Sequence, residues 1–268
     1  MSESQSPVFY FDASDPQMQR AHELARANFR YFWREVHWER RRIIPALDLM
    51  SVKAPFSDGP GLPTTNSPDV EHMWLSDVDF DGREVSGTLL NSPNWLKSVS
   101  EGDSVKLPLG NISDWMYAIG GEVFGAYTVN LIRSRMGRAE RAEHDAAWGL
   151  DFGDPAKIRV SPQPKQGGGL LKSWFGSKPP ADTGEHPMSE AMAGKLREQV
   201  AQDPSLVHSR SDDGWTFLHQ EALAGNFATV QALLQVGADP KARTNHGLTA
   251  LQLAHSLGWE KVVALLLP

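Results

Sequence analysis

Two residues in the first half of the chain are of types that carry general acid–base chemistry. His72 has Trp74 close by, and Asp114 is followed by Trp115 and Tyr117. A His–Asp contact in an aromatic cleft can hold an imidazole as a general base, and Trp74, Trp115 and Tyr127 would line such a pocket. The plainer alternative is a buried polar pair that satisfies its own hydrogen bonds and fixes strand register. No Gly-x-Ser-x-Gly elbow, phosphate loop or His-Glu-x-x-His accompanies the pair, so the machinery of a recognisable enzyme is missing. The plainer alternative is therefore preferred, and the chain is expected not to be an enzyme.

Other chemistry-bearing patterns resolve the same way. Asp77-Val78-Asp79-Phe80-Asp81-Gly82 resembles the first half of a calcium loop, but Thr88 stands where the bidentate Glu is needed. An acidic hairpin turn is expected there, with no metal. Gly59-Pro60-Gly61 and Gly167-Gly168-Gly169 neither follow a strand nor open a helix, so they are loops rather than phosphate cradles. The 268 residues contain no cysteine, which removes disulfides, thiolate nucleophiles and cysteine-ligated metals. No cofactor is expected. A net charge of −7, concentrated on residues 1–150, argues against nucleic acid as a partner. Arg40-Arg41-Arg42 closes a helix, where cations suit the macrodipole. With no long apolar run and no apolar leader at the start, a cytoplasmic protein without a membrane span is expected.

The elements that must position these residues follow from spacing. Asp15-Pro16 starts a helix. Met18, Ala21, Leu24 with Ala25, Phe29, Phe32, Trp33 and Val36 give it one apolar face, opposite Arg20, Glu23, Arg26, Arg30 and Arg34. Short strands are expected over 47–54, 72–80, 83–90, 104–107 and 124–132, with Asp81-Gly82 as a hairpin turn. An amphipathic helix on an antiparallel sheet makes residues 1–153, with a tail around Trp148 to Phe152, an α+β domain. Residues 154–188 are dense in Pro and Gly and read as a linker. Within it, Leu170 to Lys178, including Trp174-Phe175, is an apolar, basic island that suits either a docking motif or a segment folded back on a domain.

Residues 16–136 resemble the bacterial YegJ-like domain of unknown function. The likeness rests on Glu71-His72-Met73-Trp74-Leu75, Gly87-Thr88-Leu89-Leu90-Asn91-Ser92-Pro93, Gly102-Asp103 with Val105, Ile112-Ser113-Asp114-Trp115-Met116 and Gly125-Ala126-Tyr127-Thr128. It implies no reaction.

The last 80 residues repeat. Asp213-Gly214-Trp215-Thr216-Phe217-Leu218-His219 returns 33 positions later as His246-Gly247-Leu248-Thr249-Ala250-Leu251-Gln252, and Gly225 meets Gly258 at the same offset. This period, with the Thr-Phe-Leu-His box and Gly237-Ala238-Asp239-Pro240, resembles the ankyrin repeat. Ser189 to Val200 reads as a degenerate first repeat, giving about two and a half all-α repeats over 189–268. The resemblance implies a module that binds another protein, through finger loops carrying Asp212, Asp213, Trp215, Arg243, Asn245 and His246. Three readings stay open. The leading one is a bacterial immunity or adaptor protein that neutralises a cognate toxin or effector. The others are an enzyme around His72 and Asp114, and a structural role in which the first domain caps a short array. Oligomeric state is not legible.

Overall fold

The computed structural model describes residues 15–65, 67, 70–162 and 185–267; the Leu170 to Lys178 island lies outside them. Two compact units emerge, and they are interleaved in sequence. One takes residues up to Asn28 and then Pro45–Val160, and the other takes Phe29–Ile44 and Ser161–Pro268. Helix α1 (Pro16–Glu39) thus contributes to both.

The first unit is built on six antiparallel strands: β1 (Leu49–Phe56), β2 (Glu71–Phe80), β3 (Glu84–Leu89), β4 (Ser104–Pro108), β5 (Asp114–Ile119) and β6 (Glu122–Gly125). Their order is β4-β3-β2-β1-β5-β6. The acidic hairpin forms, with its two-residue loop at Gly82-Arg83, one residue beyond the expected Asp81-Gly82: Asp81 N–H donates to the Glu84 carbonyl, and the Asp81 carboxylate accepts the N–H groups of Arg83 and Glu84 at 2.9 and 2.8 Å. Lys106 binds Asp81 and Glu84 from the neighbouring strand.

Three elements differ from the sequence expectation, one of them a helix over residues 138–148 where none is expected. β5 was not anticipated, because its first five residues are all buried and show no alternation. Residues 124–132 give only the end of β6, after which α2 (Tyr127–Arg135) begins. Gly125 and Ala126 turn the chain with φ of 76° and 55°. Gly125 is also pressed against the Trp115 ring, where a Cβ has no room. The β-branched residues that follow are therefore held helical by the turn and its cap, overriding their propensity. After α3 (Arg138–Trp148) the tail returns to the sheet. Asp151 exchanges backbone hydrogen bonds with Gly121 and Val123, and Phe152 enters a core of Met116, Ala118, Val123, Ala126 and Val129.

The second unit is helical: α4 (Pro187–Gln202), α5 (Phe217–Ala224), α6 (Phe227–Gln235), α7 (Ala250–Ser256) and α8 (Glu260–Leu266), joined by the second half of α1. α5–α6 and α7–α8 are the two full repeats, and α4 packs on α6. Thr216 and Thr249 cap α5 and α7 through reciprocal bonds with His219 and Gln252. His219 also reaches the Ala242 carbonyl at 3.0 Å, which ties the box to the next turn. Leu218, Ala222, Leu223, Val230 and Leu233 are buried. Along α1, every residue from Phe32 to Trp38 is buried, including Arg34 and Glu35. In that half the helix is not the one-sided cover its spacing suggests.

Candidate functional site

In the first unit, antiparallel register sets Lys53 of β1 directly opposite Trp74 of β2 and Asp114 of β5. These three side chains therefore leave the sheet on one face. His72 pairs with Pro55 two residues along, and shares that face.

Asp114 is wholly buried and its carboxylate is fully engaged. One oxygen accepts the N–H groups of Trp115 and Tyr127 at 2.8 and 2.9 Å. The other accepts Thr128 N–H and its hydroxyl at 2.8 and 2.6 Å. Three buried backbone donors, two of them in the first turn of α2, are satisfied by one side chain. Burial raises its pKa, against the lowering effect of the Thr128 bonds and Lys53. Trp115 and Tyr127 are brought to it as edge-on rings with centroids 5.7 Å apart, both buried, and the Trp115 indole N–H donates to the Ala25 carbonyl.

His72 makes no hydrogen bond to Asp114. Its ring instead stacks on His22 of α1, with centroids 5.4 Å apart and planes 23° from parallel. Burial lowers the pKa of His72 to about 3 and that of His22 to about 4, and the Lys53 ammonium reinforces both. Lys53 itself lies over the Trp74 ring at 5.4 Å. Burial lowers its pKa too, opposed by Asp114. Of the residues singled out from sequence, Asp114, Trp115 and Tyr127 thus form one bonded group, while His72 and Trp74 belong with His22 and Lys53, which sequence reasoning missed. One signal was available: His22 falls four after Met18 and three before Ala25, on the apolar stripe of α1. Glu71, beside His72, is a fastener. It accepts the backbone N–H groups of Asn94, Trp95 and Leu96.

In the second unit, the two ends of the helical hairpins have different surroundings. At the turn between α5 and α6, the Trp38 indole donates to Asn226 Oδ1 at 3.1 Å, and Asn226 in turn donates to Glu221 at 2.7 Å. Arg41 pairs with Glu221 and Gln220, and His37 lies 3.4 Å from Glu221. Burial raises the Glu221 pKa, but His37 and Arg41 outweigh it and hold the carboxyl below its ordinary value. At the turn between α7 and α8, Arg30 donates to the Gly258 carbonyl, and Arg30 and Arg34 stack over Trp259. The basic run closing α1 is thus engaged internally: Arg41 as above, Arg42 with Glu39 and Glu35, and Arg40 over Trp33.

The opposite ends carry the finger loops. Asp212, Asp213, Arg243, Asn245 and His246 are exposed, and Trp215 is half-buried beside His219. Two of these six support the loops themselves. Asn245 donates through its side chain to the Asp212 carbonyl at 2.9 Å and through its backbone to Asp213, while Arg243 donates to Gly247. The Asp212, Asp213 and His246 side chains make no hydrogen bond or ion pair among the described residues. Phe217, standing where ankyrin repeats carry Pro, is 40% exposed next to them.

Among the described residues there is no group of three or more His, Cys, Asp or Glu side chains that could hold a metal, and no helix long and apolar enough to cross a membrane. The family model described as "Uncharacterized protein conserved in bacteria (DUF2314)" matches residues 15–152, and that for ankyrin repeats matches residues 189–268. Repeats of this kind suggest protein–protein interaction. The chain is 42% identical over 264 residues to "Putative ankyrin repeat protein NMB1133/NMB1171" of Neisseria meningitidis, covering 98% of each. It is 34% identical over 83 residues to "Uncharacterized protein YegJ" of Escherichia coli, covering 31% of this chain and 49% of that one.

Proposed function

The chain belongs to the bacterial DUF2314 family and carries ankyrin repeats behind that domain, and from this premise we propose that it acts by binding another protein through its finger loops. One observation carries the reading. The turn ends of both repeats are occupied by α1, whereas at the loop ends Asp212, Asp213 and His246 are exposed beside Trp215 and Phe217. Aromatic residues ringed by charge are the composition of an interface centre with a polar rim.

Within that class the sharper proposal is a cytoplasmic immunity or adaptor protein that neutralises a cognate toxin or effector. A net charge of −7 would steer it toward a basic partner. The test is co-expression with the product of an adjacent gene that is toxic alone. Rescue of growth by the wild-type chain, lost on replacing Asp212, Asp213 and His246 by Ala, is the expected result. Rescue that persists in the triple variant removes the loops from the reading, and absence of rescue removes the immunity role.

A further inference from the structure

In the first unit a set of basic side chains converges, and the acid that acts on it, Asp114, is already engaged by other donors. Lys53 sits on β1, His72 on the neighbouring β2, and His22 stacks on His72 from α1. Arg26, one turn beyond His22, adds to the positive field acting on it. The one acid that acts on Lys53 is Asp114, whose two oxygens already accept four donors from Trp115, Tyr127 and Thr128. Among the described residues, no carboxylate oxygen lies within 4 Å of the Lys53 ammonium. The Nδ1 atoms of both His22 and His72 are shielded from solvent with no hydrogen-bond partner.

Such an arrangement is expensive. A buried imidazole nitrogen without a partner forfeits its hydration, and an ammonium held near two imidazoles keeps both from accepting protons. Packing alone does not call for this, because a Met at 53 and aromatic rings at 22 and 72 would fill the same space without desolvated polar atoms. A bound oxyanion answers every group at once. It supplies the missing countercharge to Lys53 and lone pairs for imidazole N–H donors. We infer that Lys53, His22 and His72 form a receptor for the oxyanion, carboxylate or phosphate, of a small molecule, with the Trp74 ring as one wall. Because the anion also favours the imidazolium forms, binding takes up protons and tightens as pH falls.

Thermal melts of the full chain test this, with inorganic phosphate, acetate and chloride compared at matched ionic strength and at two pH values. The expected result is a saturable rise in Tm over chloride, about 5–10 °C at roughly a hundredfold excess over Kd, larger at the lower pH. Saturation by phosphate alone assigns a phosphoryl ligand, and saturation by acetate assigns a carboxylate. Lys53→Met should abolish the rise, and His72→Phe should weaken it and flatten its pH dependence. If Lys53→Met does not fold, His72→Phe and His22→Phe carry the comparison. Equal melts in all three salts overturn the inference, and so does a rise that the folded variants retain in full. A partner's acidic segment as the true occupant would give the first of these outcomes.

Discussion

Helix α1 supplies buried titratable groups to two clusters, and the two are built on opposite plans. In the repeat unit, Trp38 and Arg41 meet Glu221 and Asn226 in a network in which donor answers acceptor, and the one nitrogen left without a hydrogen bond, His37 Nε2, still lies 3.4 Å from the Glu221 carboxylate. In the sheet unit, His22 meets His72 and Lys53, and like answers like. A buried network that satisfies itself holds a structure in one arrangement. A buried cluster left with surplus donors and one sign of charge is where a ligand would complete the set. The contrast separates polar burial that serves the fold from polar burial that serves binding.

The largest effect should come from opening the repeat-unit network. Glu221→Ala leaves Arg41 and the Asn226 amide without their shared acceptor, and loss of one member of a buried pair costs about 3–5 kcal/mol. Denaturant melts of the full chain would read this as a lower midpoint for the repeat unit. A change under about 1 kcal/mol would show that the network is not what holds α1 to the repeats. The second effect is a pH dependence. His22 and His72 have folded pKa values lowered to about 4 and about 3, against about 6.5 unfolded. The unfolded chain therefore binds more protons, and stability falls as pH drops below about 6.5, through about 4 and then about 3. The slope is at most about 1.4 kcal/mol per pH unit for each histidine. His22→Phe and His72→Phe should flatten this acid limb in melts between pH 7 and 4, and an unchanged slope would remove these histidines as its source.

How much of this was legible in sequence depends on how each signal is encoded. The ankyrin repeats were legible because a period repeats itself, and Thr216, His219 and Gly225 each recur in role one period later. The β2–β3 hairpin was legible because Asp81-Gly82 has local turn chemistry. β5 was not, since a strand buried on both faces has no alternation. α2 was not, because its start is fixed by Asp114, a residue 13 positions earlier. Asp114 was noticed for its chemistry, yet the structure uses its carboxylate as a cap. Lys53 was missed because a lone Lys in a strand resembles an outward-facing residue until register places it between Trp74 and Asp114. The shared use of α1 was hidden for a similar reason: its arginines look solvated until Glu221, Gly258 and Trp259 arrive from far along the chain.

Two smaller effects sharpen the comparison from the other side. Lys53→Met removes a buried charge with no carboxylate oxygen within 4 Å, so in a chloride buffer it should leave the chain as stable as the wild type or raise stability by about 1 kcal/mol. A loss of more than about 2 kcal/mol would mean that the ammonium has a structural partner. The smallest change in stability belongs to the finger loops. Asp212→Ala, Asp213→Ala and His246→Ala alter exposed side chains that hold no other part of the chain, so each should shift stability by less than about 0.5 kcal/mol. Asn245→Ala should cost more, about 1 kcal/mol, because it removes the bond to the Asp212 carbonyl that ties one loop to the next. If partner binding is lost in the first three without a change in melting, the loops act by direct contact. If only Asn245→Ala weakens binding, the loops contribute shape rather than charge, and the partner reads the backbone they present.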